Sequence, residues 1–452
     1  MIHRFQVLGE KYLYDSNSGS LHAIDDVVWD VLDHYPAATP SEVVVALGGV
    51  HGPEAVAAAI SELEELRRQG LVWAPDPYPG GYAVADHGVK ALCLHLAHDC
   101  NLACTYCFAD GGPFGGDRSL MPFEVARAAI DFLVAGSPER DYFEVDFFGG
   151  EPLLNFDVLK QTVAYADSLP GKRFRFTVTT NCVLLNDEVR SFLNDRGMQV
   201  ILSLDGRPEV HDAMRRDRGG RGSYERAVKN AQALVASRSD GAYRGEGYYA
   251  RGTFTRQNLD FTADVRHLLD LGFRSLSLEP VIGLPSDPYA IRSEDVRRIS
   301  EEYERLAAYY LERSEAGEPF TFFHFMLDPS GGACAAKRVI GCGAGWEYVA
   351  VAPNGDIYPC HQFVGRRAYL LGNVRTGIAR RDIGDRFRAT TIYSKPECSQ
   401  CWARFLCSGG CHANADLISR DIGTPYRIGC ELQKRRLECA LHIQAKQSET
   451  GL

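Results

Sequence analysis

No stretch of this 452-residue chain approaches the length of a membrane span, and Met1-Ile2-His3-Arg4-Phe5 is not a charged stretch followed by an apolar run. Neither a spanning helix nor an export signal is expected, so the cytoplasm is the expected location and no membrane partner is expected. Low-complexity tracts and internal repeats are also missing, which argues against solenoids and confines expected disorder to short loops. Positive charge is in deficit: the formal net charge of -10 argues against a general nucleic-acid binder. Arg215, Arg216, Arg218 and Arg221 make one local basic loop, which reads as a solvated surface turn.

The chain is rich in cysteine, with fourteen. Without an export signal these are not expected to form disulfides, because the cytosol keeps thiols reduced; grouped cysteines there hold metal more often. Eleven fall into groups, leaving Cys93, Cys182 and Cys439 as packing residues. The hydrophobic content of 45% and charged content of 24% are those of an ordinary globular protein. The length calls for two or three domains.

Residues 84 to 315 alternate strand-like apolar runs with amphipathic helical stretches, which predicts a parallel sheet flanked by helices. The expected strands are Ala91 to Leu96, Tyr142 to Phe148, Phe174 to Thr180, Val200 to Leu204, Tyr248 to Phe254 and Ser275 to Glu279, with helices such as Pro122 to Val134 and Ser293 to Leu311. Six units make a partial (β/α)6 version of the eight-stranded barrel, an α/β fold whose functional residues are expected on loops after the strands. Ahead of it, runs at Ile2 to Val7, Tyr12 to Tyr14 and Leu21 to Ile24 precede helical stretches at Asp25 to Leu32, Pro40 to Leu47 and Pro53 to Gln69, a winged-helix-like order in a separate small domain. Pro75, Pro77, Pro79, Gly80 and Gly81 mark the linker. After about Pro319 the alternation stops, and the last third is expected to be organised around metal rather than a core of its own. The expected divisions are 1–82, 83–325, a bridging region 326–375, and 376–452.

Cys100-Asn101-Leu102-Ala103-Cys104-Thr105-Tyr106-Cys107 supplies three thiolates where a closed site wants four. That number suits a cubane iron-sulfur cluster with one iron open to a small molecule. A zinc knuckle with His98 as fourth ligand is the other reading. The C-x3-C-x2-C spacing resembles the radical S-adenosylmethionine (SAM) superfamily, in which the open iron chelates SAM. Gly149-Gly150-Glu151-Pro152, one βα unit later, is similar to the superfamily's second motif, with glycines expected to bring backbone carbonyls close to the SAM ammonium. The resemblance extends through Asn181, Ser203 and Arg215, which it implies bind the ribose and carboxylate of SAM, and Tyr106 is placed to pack on cluster or adenine. A core hydroxyl at Ser203 and a surface charge at Arg215 are the plainer alternatives.

Cys342 with Gly355 and Cys360, then Cys398-x2-Cys401-x5-Cys407-x3-Cys411 and Cys430, resembles the SPASM domain, which holds two auxiliary four-iron clusters. The family pairing implies Cys334, Cys342, Cys360 and Cys411 for the first cluster and Cys398, Cys401, Cys407 and Cys430 for the second. Cys334 either closes the first cluster or leaves an iron open to a substrate thiolate. With SAM and three 4Fe-4S clusters the implied reductant is a flavodoxin or ferredoxin. The N-terminal module resembles PqqD-type domains, which bind a leader peptide as an added strand; an oligomerisation domain is the alternative. Tyr14 to Asp26, and Cys342-Gly343-Ala344-Gly345 through Gly365, are most similar to SCIFF maturases.

This resemblance implies that reductive SAM cleavage generates a radical that takes hydrogen from a peptide α-carbon, of threonine by family precedent. A cysteine thiolate then bonds there as a thioether in a ribosomal precursor peptide, and the surplus electron leaves through the iron of an auxiliary cluster. His361, beside a ligand cysteine, stands where some relatives carry a base, and Glu279 ends the sixth strand. Formylglycine formation, carbon-carbon cross-linking, and a zinc-rich winged-helix DNA-binding protein remain the rival readings.

Overall fold

The computed structural model describes residues 1–79, 82, 85–238, 247–327 and 334–450. The linker residues Gly80 and Gly81 lie outside the described residues. The chain opens with an antiparallel meander, β1 (Ile2–Val7), β2 (Glu10–Asp15) and β3 (Leu21–Ala23), followed by helices α1 (Asp26–Val31), α2 (Pro40–His51) and α3 (Pro53–Arg68). Local chemistry sets the helix starts. The Asp25 side chain accepts from Val28 N at 2.8 Å, and Thr39 with Glu42 forms a reciprocal capping box ahead of Pro40.

Six strands then run parallel in chain order: β4 (Ala91–Ala97), β5 (Tyr142–Gly149), β6 (Arg173–Thr180), β7 (Gln199–Ser203), β8 (Tyr248–Phe254) and β9 (Ser275–Pro280). A short β10 (Thr321–Phe322) pairs in parallel beyond β9. Period two sorts the side chains: Phe143, Val145 and Phe147 of β5 are buried in the core, while Phe148 lines a cavity together with Thr179, Ser203, Arg251 and Glu279 of later strands. Cys93, Cys182 and Cys439 are buried, as expected of packing residues.

Two expectations are corrected. The stretch after Pro319 does not stand apart: β11 (Tyr348–Val351) pairs in parallel with β4, and β12 (Asp356–Tyr358), β13 (Gly372–Asn373) and β14 (Gly377–Ile378) continue the same eleven-stranded sheet. Metal is therefore not its sole organiser, because Val349, Ala350, Val351, Ile357 and Leu371 belong to the main core. A long helix, Arg427–Thr450, also carries Cys430, the last grouped cysteine, in its first turn.

The N-terminal module is likewise less separate than its sequence suggests. Leu13, Val31, Val43, Val56 and Leu63 make a core of its own, but Phe5, Val7, Tyr12 and Tyr14 belong to the main core. His3 stacks on Trp402 with centroids 4.0 Å apart, Tyr12 Oη lies 2.9 Å from His442 Nδ1, and Arg404 Nη2 donates to Asn17 Oδ1 at 2.7 Å. Among the described residues no helix is long and apolar enough to cross a membrane.

Candidate functional site

A cavity of about 310 Å³ opens at the carboxyl ends of the parallel strands. Cys100, Cys104, Tyr106, Cys107, Gly149, Gly150, Asn181, Ser203, Arg215 and His361, drawn from loops far apart in the chain, all line it. The cysteine loop is held by its neighbours' backbone: Ala103 N donates to Arg216 O at 2.7 Å and Thr105 N to Met214 O at 2.8 Å. Among the described residues no set of three or more potential ligands is closed to metal-binding geometry, so grouping is read from loops and mutual charge effects. Burial pushes the Cys100 thiol up to about 12 and the Cys104 thiol up to about 11. Thiols in such surroundings become thiolates when a metal compensates their charge, which fits a cluster at this loop.

Packing alone already requires glycine at Gly149 and Gly150. A Cβ on Gly149, whose φ is +128°, would lie 2.3 Å from Ala97 O, and one on Gly150 would lie 2.2 Å from Asp99 O. The second loop is thus pressed against the root of the cysteine loop, and Gly150 N and Glu151 N donate to those two carbonyls at 2.8 and 2.9 Å. The Glu151 carboxylate is buried away from the cavity wall and accepts from Leu153 N, Thr180 Oγ1 and Asn181 N at 3.1, 2.9 and 2.8 Å. Burial outweighs these bonds and raises it to about 7. Its side chain therefore braces the third strand's end and does not line the cavity.

Asn181 Nδ2 donates to Asn101 Oδ1 at 2.7 Å and sits 3.7 Å from Cys100 Sγ. Arg215 corrects the basic-loop reading. It is buried, with Nε donating to Asp205 Oδ2 at 3.0 Å and its guanidinium over the Tyr106 ring at 5.5 Å. The same Asp205 accepts from Tyr106 Oη, and its other oxygen accepts from Thr253 N at 2.9 Å. Burial would raise Asp205, but Arg215 and His211 hold it below the usual carboxylate range. Asp205, quoted in the sequence only as part of Ser203-Leu204-Asp205-Gly206, thus fixes two cavity residues, a role visible only once the loops meet. Arg218 pairs with Asp99, Arg221 with Asp217, and Arg216 Nε donates to Asp212 O at 2.9 Å; these three are exposed, as a surface turn would be.

His361 packs against Phe148 at 4.9 Å and Phe108 at 5.6 Å. Burial, then Arg251, lowers it to about 4, leaving a neutral imidazole at the cavity wall. Glu279 pairs with His324 Nε2 at 3.0 Å and lies 3.6 Å from Arg436. Burial opposes its ionisation, but His324, Arg436 and Arg251 keep it charged.

Glu279, Pro280, Ile282 and Asn414 also line a second cavity of about 630 Å³, whose wall includes Cys342, Cys407, Cys411 and Cys430. Two thiol sets emerge from their mutual electrostatics. Cys360 feels Cys411 and Cys342, whereas Cys430 feels Cys407, Cys398 and Cys401. Cys334 is exposed at the N-terminal cap of the helix Ala335–Ile340.

Two family models match: the radical SAM superfamily over residues 94–243 and an iron-sulfur cluster-binding domain, SPASM, over residues 342–402. Residues 94–243 thus resemble a radical SAM domain and residues 342–402 a SPASM domain. Such domains imply SAM and 4Fe-4S clusters as cofactors, and the fold is shared with the solved structures named below. The chain is similar to the mycofactocin maturase MftC of Mycobacterium ulcerans, 28% identical over 73% of this chain and 85% of that protein. A cysteine-type anaerobic sulfatase-maturating enzyme of Clostridium novyi is 22% identical over 77% of this chain and 94% of that protein. The match to protein MJ0907 of Methanocaldococcus jannaschii, 27% identical, spans 63% of that relative and 42% of this chain. Among solved structures, anSMEcpe with bound AdoMet superposes with a TM-score of 0.66 at 18% identity, covering 80% of this chain and 96% of that one. Streptococcus suis SuiB bound to precursor peptide SuiA gives a TM-score of 0.50 at 16% identity, covering 89% and 92%.

Proposed function

We propose that this chain is a radical SAM peptide maturase that installs an intramolecular thioether, from a cysteine sulfur to a backbone α-carbon of threonine, in a ribosomally made cysteine-rich precursor peptide. The observation that carries the reading is the adjoining of the two cavities. A peptide lying past Glu279, Pro280 and Ile282 would meet the first cysteine loop on one side and Cys342, Cys411 and Cys430 on the other. Relatives named as maturases, and a similar fold bound to a precursor peptide, support a peptide substrate.

Cys100, Cys104 and Cys107 would hold the first cluster, which with bound SAM supplies hydrogen-atom abstraction. Gly149, Gly150, Asn181 and Ser203 line the space for SAM, and the Asp205-held Arg215 and Tyr106 fix its wall. Cys342, Cys360 and Cys411 would hold the first auxiliary cluster, with Cys334 either completing it or leaving a place for the substrate thiolate. Cys398, Cys401, Cys407 and Cys430 would hold the second. His361, neutral at the wall, would receive the thiol proton. The N-terminal sheet edge would take the leader peptide, and a flavodoxin or ferredoxin would deliver the electrons.

Anaerobic co-expression with a cysteine-rich peptide encoded beside this gene tests the reading by mass spectrometry. A loss of two hydrogens per cross-link, with resistance to thiol alkylation, is the expected product. A hydrazide-reactive aldehyde would mean formylglycine, and a cross-link leaving every thiol alkylatable would mean carbon-carbon joining. About twelve irons per chain are expected from three four-iron clusters; zinc without iron would overturn the cluster assignment.

A further inference from the structure

Lys395 is 1% exposed and is the sole lysine among the buried charged residues described. Its Nζ donates to Gly409 O at 2.8 Å, and among the described residues no carboxylate pairs with it. Burial disfavours its ammonium form and lowers its pKa below the usual lysine range, and nearby negative charge opposes that. What faces it is sulfur: Cys398, Cys407, Cys411 and Cys430 all act on Lys395 electrostatically. Lys395 immediately precedes the helix Pro396–Ser399, which carries Cys398. Gly409 keeps the other side clear. A Cβ there would lie 3.5 Å from Nζ, and its φ of +84° disfavours any side chain. His412, its remaining titratable neighbour with a resolved interaction, is lowered to about 4 by burial and then by Lys395, and so brings no charge at neutral pH.

The four cysteines come from both thiol sets, Cys411 from one and Cys398, Cys407 and Cys430 from the other. We propose that Lys395 is a positioning residue that serves as the fixed counter-ion shared by the two auxiliary sites and holds their reduction potentials up. The proposal rests on reading these cysteines as cluster ligands. Reducing a cluster by one electron, taken from the external reductant, adds one negative charge to the site. A fixed cation in a medium of low polarity stabilises the reduced form more than the oxidised one. The site of Cys398, Cys401, Cys407 and Cys430, which supplies three of the four facing thiols, should feel it more.

The test is a potentiometric titration of reconstituted holoenzyme followed by electron paramagnetic resonance, with iron quantified in each sample. Lys395→Gln should keep its iron and move both auxiliary potentials to more negative values, the second cluster further. Lys395→Arg should restore them, while the SAM-binding cluster stays unmoved. If Lys395→Gln sheds auxiliary iron and Lys395→Arg keeps it, the positive charge is needed even for assembly, which also supports the role. Unchanged potentials in an iron-replete Lys395→Gln enzyme would overturn it, as would loss of auxiliary iron in both variants or a shift that arginine does not reverse. Zinc at these cysteines in the wild type would instead overturn the cluster reading beneath it.

Discussion

Arg215 Nε donates to Asp205 Oδ2 at 3.0 Å inside the wall of the cavity beside the first cysteine loop, and Asp205 is fully buried. The pair is more than a neutralised charge, because Asp205 also receives Tyr106 Oη and Thr253 N. One carboxylate thus ties the cysteine loop and the fifth strand of the parallel set to the arginine.

Asp205→Asn keeps the shape and removes the charge, leaving Arg215 buried without its partner. Breaking a buried pair from one side costs on the order of 3 kcal/mol. Thermal unfolding should show a clear drop in Tm, and SAM cleavage under anaerobic reduction should fall with it. An unchanged Tm would show that Arg215 finds another partner.

Gly150→Ala places a Cβ where Asp99 O now lies, 2.2 Å away. Backbone cannot yield as a side-chain tip does, so the cysteine loop must move, at a cost of roughly 1–3 kcal/mol. Iron analysis should show about four irons lost of about twelve, with the auxiliary complement intact. Full iron content in the variant would contradict the close packing of the two loops.

Burial, then Glu144, raises Asp146 of β5 above the ordinary carboxylate range, to about 6. A carboxyl whose folded pKa lies above its unfolded one takes up a proton on folding. Stability from this group is therefore full below about pH 4 and declines as pH rises to about 6. Asp146→Asn should be more stable than wild type at pH 7 and should lose that advantage at pH 4. Urea unfolding at the two pH values decides it; an advantage independent of pH would point to packing instead.

His361→Gln separates a proton acceptor from a spacer between Phe108 and Phe148. Loss of an acid-base group lowers the step it serves by roughly 100-fold or more. Cross-linked product should fall by that factor while SAM cleavage and Tm hold. Parallel loss of product, cleavage and Tm would assign His361 to packing.

The six parallel strands were legible because each is bounded by turn residues and carries alternating or continuous apolar side chains, and the observed ends differ by one residue at most. The cavity residues were legible through cysteine spacing and their position after those strands. The helix Arg427–Thr450 was not, for a physical reason. Cys439, Ala440, Leu441, His442 and Ile443 are all buried in succession, since the helix is covered from several sides and shows no single apolar stripe. β11 was hidden by its length of four residues, and its identity depends on pairing with β4 more than 250 positions earlier. Arg215 was ambiguous until Asp205 approached it, because an arginine in a loop looks the same whether paired or solvated.

Tyr12 meets His442 across 430 positions of sequence. During synthesis Tyr12 lacks this partner until the helix Arg427–Thr450 leaves the ribosome, so the contact closes after the parallel sheet has formed. A ribosome-stalled chain ending before Arg427 should leave Phe5, Val7 and Tyr12 open to solvent or a chaperone while the parallel sheet is already complete.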